Sequence, residues 1–300
     1  MTPDVEHRFG SNSWTEEKLK IVFKFIDTYT TALKEQKWKL FYIDAFAGTG
    51  SREWDDDDGV TQSSPGSVLK ALETSIPFNK YYFIEMDPAK ATELESKISV
   101  KGAKSCKVWR GDANAILPEI IRSMNPAQHR GVVFLDPFAM SVGWPTLEAI
   151  ANSTFLDLWF LVPFGAIARV LPREGTIQEG WRSKLIQTFG EDPVPSLYVD
   201  DQQPALPMEL EEFGIDSDRK IRKGGPKALG KYIVKRLDSI FAWVCKDIVV
   251  LKNSNNSPMF LLVYAISNKS DAAKSLADRI SKSILKKHLE EGGHVQRFCD

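Results

Sequence analysis

The sequence predicts an α/β fold in which seven strands form a mostly parallel sheet with helices on both faces. From residue 40 to residue 163, short apolar runs alternate with segments of helical periodicity, which is the pattern of consecutive β–α units. The last two predicted strands, 247–252 and 259–267, are joined by a short polar link. Because a parallel crossover needs at least about a dozen residues, this pair is predicted to be an antiparallel hairpin that ends the sheet.

The first predicted helix begins near Trp14, where Ser13 or Thr15 can cap it. Apolar residues then recur at helical spacing as far as Leu33, so this face is expected to pack on the sheet. Trp14 and Lys18 lie close enough to the start of the helix to reach a bound ligand, but we favour plain packing for both.

The first predicted strand, residues 40–44, consists of bulky apolar side chains and ends in Asp44. A Gly-x-Gly turn, Gly48 to Gly50, follows directly. Glycines at such a turn allow a ligand to approach the backbone closely, although a tight turn without a ligand has the same pattern. The end of this strand is therefore a candidate edge of a binding site.

Acidic and turn-forming residues fill positions 51–59, which predicts an exposed loop. The next helix is expected to start at Ser64 and Pro65, where serine can cap and proline suits the first turn. Trp54 leaves open the alternative that the loop faces a substrate, and a solvated surface loop is the favoured interpretation.

Three more predicted strands also end in an acid. Glu85, Asp112 and Asp136 each stand at or just after the end of an apolar run. In an open parallel sheet the carboxyl ends of the strands meet at one edge, and ligands bind there. We therefore expect Asp44 and these three acids to surround one site.

These strand ends resemble the motifs of the class I S-adenosylmethionine-dependent methyltransferases, whose sheet is Rossmann-like and ends in an antiparallel hairpin. The resemblance implies that S-adenosylmethionine is the cofactor, that Asp44 and the loop after it bind its amino acid end, and that Glu85 binds its ribose. It places Asp112 and Ala113 beside the adenine. The full set implied for the cofactor is Asp44, Phe46, Ala47, Gly48, Gly50, Glu85, Asp112 and Ala113.

The segment Asp136, Pro137, Phe138 resembles the Asp-Pro-Pro-aromatic motif of methyltransferases that modify exocyclic amines of bases, with one proline where two are usual. Hydrogen bonds to the Asp136 carboxylate would localise the amine lone pair, and Phe138 could stack on a base that is flipped out or single-stranded. These three residues are the candidate catalytic residues. The alternative is that Asp136 merely starts a turn.

A narrower resemblance is to the three-Cys-motif partner protein (TcmP) family. It rests on residues 42–48, 83–85 and 135–140 and on Phe164-Gly165. It implies a three-Cys-motif protein as the partner, and it opens a second hypothesis, that the chain is a catalytically silent, cofactor-binding partner subunit. An NAD-dependent oxidoreductase is disfavoured because NAD-binding sheets lack the final hairpin and because a third glycine is missing after Gly50.

Three regions are predicted: a methyltransferase core with its N-terminal helix at 1–166, a helical insertion at 167–244 for substrate or partner, and the closing hairpin and helix of the same core at 245–300. The insertion carries a run of basic residues. Candidate substrate contacts, to phosphates, are Arg222, Lys223, Lys227 and Lys231. A solvated helix face explains the lysines equally well.

Composition limits the classes further. The net charge of the 300 residues is −1, so any nucleic-acid face must be local. The three cysteines form no Cys-x-x-Cys pair and the four histidines are scattered, so no metal site is expected. Without an apolar leader or a run of about 18 apolar residues, we predict a soluble, cytoplasmic protein.

Overall fold

The computed structural model describes residues 13–55, 61–103, 105–174, 177–200 and 220–298. The helices in these ranges are α1 (Ser13–Leu33), α2 (Ser67–Ala71), α3 (Pro88–Val100), α4 (Ala113–Arg122), α5 (Trp144–Asn152), α6 (Phe164–Val170), α7 (Glu179–Phe189), α8 (Val194–Leu197), α9 (Pro226–Asp238) and α10 (Asp271–Glu290). The strands are β1 (Lys39–Asp44), β2 (Ser51–Asp55), β3 (Thr61–Pro65), β4 (Lys80–Glu85), β5 (Cys106–Arg110), β6 (His129–Leu135), β7 (Leu156–Val162), β8 (Tyr198–Asp200), β9 (Lys220–Arg222), β10 (Trp243–Val244), β11 (Asp247–Lys252), β12 (Pro258–Ile266) and β13 (Val295–Arg297).

Nine of the described strands form one sheet with the order β13-β11-β12-β7-β6-β1-β4-β5, and β10 pairs with β12 beside this path. The five strands from β7 to β5 are parallel, whereas β12 is antiparallel to both β7 and β11. The predicted final hairpin is therefore confirmed. The predicted number of seven strands is wrong, because β10 and β13 add to it. Each of these has only two or three residues, which is too short for a periodic signal.

Helices cover both faces of the sheet, as predicted. Strand β1 shows why: Phe41 and Ile43 belong to one buried cluster, which includes α4, α5, α7 and α9. Leu40 and Tyr42 point to the opposite face and belong to a second cluster with α1, α2, α3 and α10. Since side chains alternate along a strand, a run that is apolar at every position must be covered on both faces.

The prediction of a loop at residues 51–59 is wrong at 51–55, because β2 pairs there with β3 as an antiparallel hairpin. Residues 56–60 lie outside the described ranges. The Gly66 amide donates to the Gly50 carbonyl at 2.9 Å and closes the base of this hairpin. Helix α2 consequently begins at Ser67, with Gly66 rather than Ser64 at its cap.

The segment 167–244 shares its core with the sheet. Leu185 and Phe189 of α7 and Ile233 of α9 belong to the same buried cluster as Phe160 of β7. Besides helices, the segment contains the β8–β9 pair, and residues 175, 176 and 201–219 lie outside the described ranges. The division of the chain into a core and an insertion stays a prediction.

Gly131, the third residue of β6, lies close to both neighbouring strands. A Cβ atom there would lie 2.8 Å from the Phe41 carbonyl oxygen of β1 and 3.0 Å from Leu156 Cδ2 of β7. Because a backbone atom of a paired strand cannot move aside by changing rotamer, we expect Gly131→Ala to lower the free energy of unfolding by about 1–3 kcal/mol. Urea denaturation measures this.

Gly180→Ala on α7 is the matched control, since no atom lies within 4 Å of its added Cβ atom. We expect its stability to be unchanged or slightly higher, because alanine is the better helix former. Equal unfolding free energies for the two variants would contradict the tight packing at Gly131.

Candidate functional site

The structure brings three of the four predicted acids to adjacent strands at one edge of the sheet. In the strand register, Asp44 of β1 lies opposite Phe83 of β4 and Phe134 of β6. Glu85 and Asp136 each follow two residues later, so they flank Asp44 on both sides. Asp112 comes just after β5, the next strand beyond β4.

Asp44 is completely buried. Its Oδ1 accepts a hydrogen bond from the Phe46 amide at 3.2 Å, and its Oδ2 has no partner within the described residues. Burial raises the pKa of Asp44 to about 7, against the opposing effects of the Ser67 side chain, the Phe46 amide and Lys18. A buried carboxyl oxygen without a donor is costly, which is typical of a group that awaits a ligand.

The raised pKa of Asp44 predicts a pH-dependent stability. A carboxyl whose pKa is higher in the folded state than its usual 3.8 holds its proton when folded, so stability falls as pH rises from about 4 to about 7. Asp157, whose pKa burial also raises to about 7, acts in the same direction. We expect the free energy of unfolding to fall by several kcal/mol in total over this pH range. Asp44→Asn should remove the part of this fall that is due to Asp44.

Urea unfolding at half-unit pH steps tests this expectation. Asp157→Asn should remove a comparable part of the fall in unfolding free energy. Asp278→Asn at the surface should leave the dependence of stability on pH unchanged. A flat profile for the wild-type chain between pH 4 and pH 7 would contradict the raised pKa values of both carboxyls.

Glu85 holds the Gly-x-Gly loop in place. Its Oε2 accepts from the Gly48 amide at 2.8 Å, and its Oε1 accepts from the Asp87 amide at 2.8 Å. The turn needs glycine, because φ is +60° at Gly48 and +78° at Gly50. The loop and the acid of the neighbouring strand thus form one unit.

Other backbone groups of this loop are also engaged. The Ala47 amide, which we expected to face a ligand, donates to the Ile84 carbonyl at 3.0 Å. Ala47 is buried and Phe46 is half-buried against the core. Within the described residues the amides of Thr49 and Gly50 have no acceptor, so they are the amides left for a ligand.

Asp112 and Ala113 start α4. Asp112 is exposed, and its Oδ1 accepts from the backbone and side-chain nitrogens of Asn114 at 2.9 and 3.0 Å. Ala113 is buried. Asn114 in turn accepts from the Gly143 amide at 2.8 Å, so the end of β5 is tied to the segment that follows Asp136.

Asp136 forms an ion pair with Lys18 of α1 through its Oδ2. The Lys18 side chain is 6% exposed and the Asp136 side chain 25% exposed. Pro137 is buried, whereas Phe138 is 90% exposed. An aromatic ring that projects into solvent beside a half-buried carboxylate can stack on a planar group.

Sequence reasoning favoured plain packing for Lys18 and missed its ion pair with Asp136. The signal was present, because Lys18 stands within the apolar stripe of α1 between Trp14 and Val22, and a buried lysine almost always has a partner. The partner could not be inferred, since Lys18 and Asp136 are far apart in the chain.

The four basic candidates lie in β9 and α9 and at the turn between them. The Arg222 guanidinium donates to the Leu171 carbonyl at 2.7 Å, which is a structural role. Lys223 and Lys227 are exposed and Lys231 is half-buried. The opposite face of α9, through Ile233 and Leu237, lines a cavity of about 20 Å³ together with Pro137. Helix α9 therefore packs beside the Asp136 segment.

Three other features of the described ranges bear on function: metal ligands, thiols and membrane-spanning helices. There, no group of three or more His, Cys, Asp or Glu side chains could hold a metal ion. Cys106 and Cys245 are free thiols, and Cys299 lies outside the ranges. None of the helices in these ranges is long and apolar enough to cross a bilayer.

Comparison with known proteins supports the fold. No protein-family model and no curated protein matches the sequence. Among solved structures, protein LPL1258 from Legionella pneumophila str. Philadelphia 1 matches with a TM-score of 0.50 and 12% identity, over 96% of this chain and 98% of that one. The chain therefore shares its overall α/β fold with that protein.

Two further matches have lower TM-scores. The N-terminal domain of EvdMO1, crystallised with SAH bound, has a TM-score of 0.38 and 10% identity, over 85% of this chain and 81% of that one. A candidate methyltransferase from Escherichia coli, yhhF, has a TM-score of 0.30 and 18% identity, over 47% of this chain and 67% of that one.

Proposed function

We propose that this protein is an S-adenosylmethionine-dependent methyltransferase that acts on an exocyclic amine of a base in nucleic acid. The observation that carries the proposal is the convergence of Asp44, Glu85 and Asp136 at one sheet edge, beside a glycine turn tied to Glu85. S-adenosylmethionine carries an ammonium group, a positive sulfonium and a ribose diol, all of which suit carboxylates.

The residues present fit this cofactor. The buried Oδ2 of Asp44, which has no partner within the described part of the chain, suits the ammonium group. The Thr49 and Gly50 amides suit the carboxylate. Each Glu85 oxygen accepts one backbone amide and keeps a further lone pair for a ribose hydroxyl. Asp112 and Ala113 would lie on the adenine side.

When bound, the cofactor supplies an electrophilic methyl group. Lys18 holds Oδ2 of Asp136, and Oδ1 remains to accept a hydrogen bond from the substrate amine. That bond localises the nitrogen lone pair and orients it for in-line attack. Phe138 can stack on the base, which must leave its duplex first. Lys223 and Lys227, which are exposed, and Lys231, which is half-buried, remain the candidate contacts to phosphates.

A second candidate is the silent partner subunit of a three-Cys-motif protein, which the TcmP resemblance implies. Two observations favour it: Lys18 already engages Asp136, and the cavity beside Pro137 measures only about 20 Å³, far less than a base. Under this proposal the chain binds the cofactor but transfers no methyl group by itself. A cytoplasmic location stays a prediction for either role.

Calorimetric titration with S-adenosylmethionine, and with NAD as the control, tests the cofactor. A transfer assay with methyl-labelled S-adenosylmethionine and total RNA, denatured DNA and duplex DNA then tests the substrate class. Micromolar binding with label in one nucleic acid supports the enzyme. Binding of S-adenosylmethionine without methyl transfer favours the partner role. This holds whether or not addition of a three-Cys-motif protein produces transfer. Failure to bind S-adenosylmethionine contradicts both proposals.

A further inference from the structure

A second cavity, of about 380 Å³, lies at the opposite edge of the sheet. Its walls come from α1, α10 and the first residues of β6 and β7. Arg130 and Asp157 are each the second residue of their strand, whereas Asp136 follows the other end of β6. The cavity is therefore separate from the candidate methyl-transfer site, and its volume is that of a small-molecule site.

Aromatic and charged side chains line this cavity together. Tyr29, Trp38 and Tyr264 contribute rings, and Arg130, Asp157 and Arg279 contribute charges. A space that was merely left between packed helices would be lined mainly by apolar groups, whereas this cavity, which opens to solvent beside the exposed Arg279, carries charges of both signs.

Asp157 is held in a fixed orientation. Its Oδ2 accepts a hydrogen bond from the Tyr264 hydroxyl at 2.9 Å, and both residues lie on paired central strands. Burial raises the pKa of Asp157 to about 7, and the nearby Arg130 opposes this rise. The carboxyl thus faces the cavity in a setting where a cationic partner would stabilise it.

Arg130 is equally well fixed. Its Nη1 donates to the carbonyls of Pro126 and His129, both at 2.6 Å, and its guanidinium lies 4.2 Å from the centre of the Trp38 ring. Its buried Nε has no partner within the described residues. Both backbone contacts use Nη1, so Nη2 keeps donor capacity for a ligand.

Arg130 and Asp157 do not pair with each other. Among the ion pairs of the described ranges, none joins these two residues within 4.0 Å, although the charge of Arg130 acts on Asp157. Both residues are half-buried, so neither charge is fully hydrated. A ligand that carries one charge of each sign would bridge them.

We propose that this cavity binds a small zwitterion of the α-amino acid type with an apolar side chain. The ammonium group would lie on Asp157, the carboxylate on Arg130 with Arg279 near it, and the side chain against Tyr29 and Tyr264. A simple cation would face two guanidinium groups, and a simple anion would face Asp157. The zwitterion alone satisfies both signs.

Titration calorimetry of the full chain tests this site, with L-phenylalanine, L-leucine and L-methionine as probes. We expect at least one to bind with a dissociation constant below about 1 mM. Phenethylamine, which lacks the carboxylate, and 3-phenylpropionate, which lacks the amino group, should bind at least about tenfold more weakly than phenylalanine. Equal binding of the truncated analogues, or no binding of any amino acid, would overturn the proposal.

Two variants locate the binding. Asp157→Asn and Arg130→Gln should each weaken it at least about tenfold, whereas Asp44→Asn at the other edge should leave it unchanged. Hydrogen exchange of the wild-type chain gives an answer that needs no variant. With saturating amino acid, exchange should slow at 29–38 and 270–280 but not at 44–50. Slowing confined to 44–50, or absent everywhere, would refute the site.

Discussion

Asp136→Asn is expected to lower the rate of methyl transfer by about 10²–10⁴-fold, while the dissociation constant of S-adenosylmethionine changes by less than about threefold. Asparagine keeps the shape of the side chain but is a weaker acceptor than a carboxylate. The substrate amine would then lose the hydrogen bond that localises its lone pair. Single-turnover rates with the labelled nucleic acid, and calorimetry with the cofactor, measure the two quantities.

The ion pair with Lys18 requires a companion variant. Asp136→Asn removes a charged partner of the buried Lys18 ammonium, and breaking a buried ion pair costs about 3–5 kcal/mol of stability. Lys18→Met combined with Asp136→Asn removes both charges, and we expect this double variant to fold and to be inactive. Lys18→Met alone should retain more activity, because the carboxylate remains but is less well oriented.

Asp278→Asn is the control for these variants. Asp278 lies on α10 and pairs at the surface with Lys282 at 2.8 Å, so its loss should change neither rate nor binding. If Asp136→Asn transferred methyl groups as fast as wild type, Asp136 would not be a catalytic residue. Equal inactivity of the wild type and every variant would support the silent-partner proposal.

Glu85→Ala is expected to raise the dissociation constant of S-adenosylmethionine by at least about thirtyfold. Hydrogen bonds to a charged acceptor contribute about 1.5–3 kcal/mol each, and the variant removes both ribose contacts. It also frees the Gly48 amide, which Glu85 holds at 2.8 Å, so the glycine turn loses its tether. Calorimetric titration of the variant measures the loss.

Glu85→Gln separates the two effects. Glutamine keeps one acceptor oxygen and the length of the side chain, so we expect an affinity between those of wild type and Glu85→Ala. Glu95→Gln is the matched control, because Glu95 pairs with Arg110 at the surface at 2.7 Å. Wild-type affinity in Glu85→Ala would exclude Glu85 from the cofactor site, whatever the substrate proves to be.

Local patterns were enough to predict most of the sheet. Strands β1, β4, β6 and β7 are apolar runs that end in turn formers or acids, and β11 occupies the residues predicted for it, 247–252. Failures came where pairing rather than periodicity decides the structure. Strand β2 is rich in charged residues and β3 is polar, and they are strands because they pair with each other next to the Gly50–Gly66 contact.

The amino-acid sequence by itself determined the α/β architecture, the final hairpin and the acids at the strand ends, because each depends on residues that are neighbours in the chain. Only the tertiary structure decided the ion pair of Lys18 with Asp136, the engagement of Glu85 by the glycine turn, and the cavity between Arg130 and Asp157. Such contacts join residues far apart in the chain. These contacts depend on helix packing and strand order, and local sequence patterns predict neither of the two.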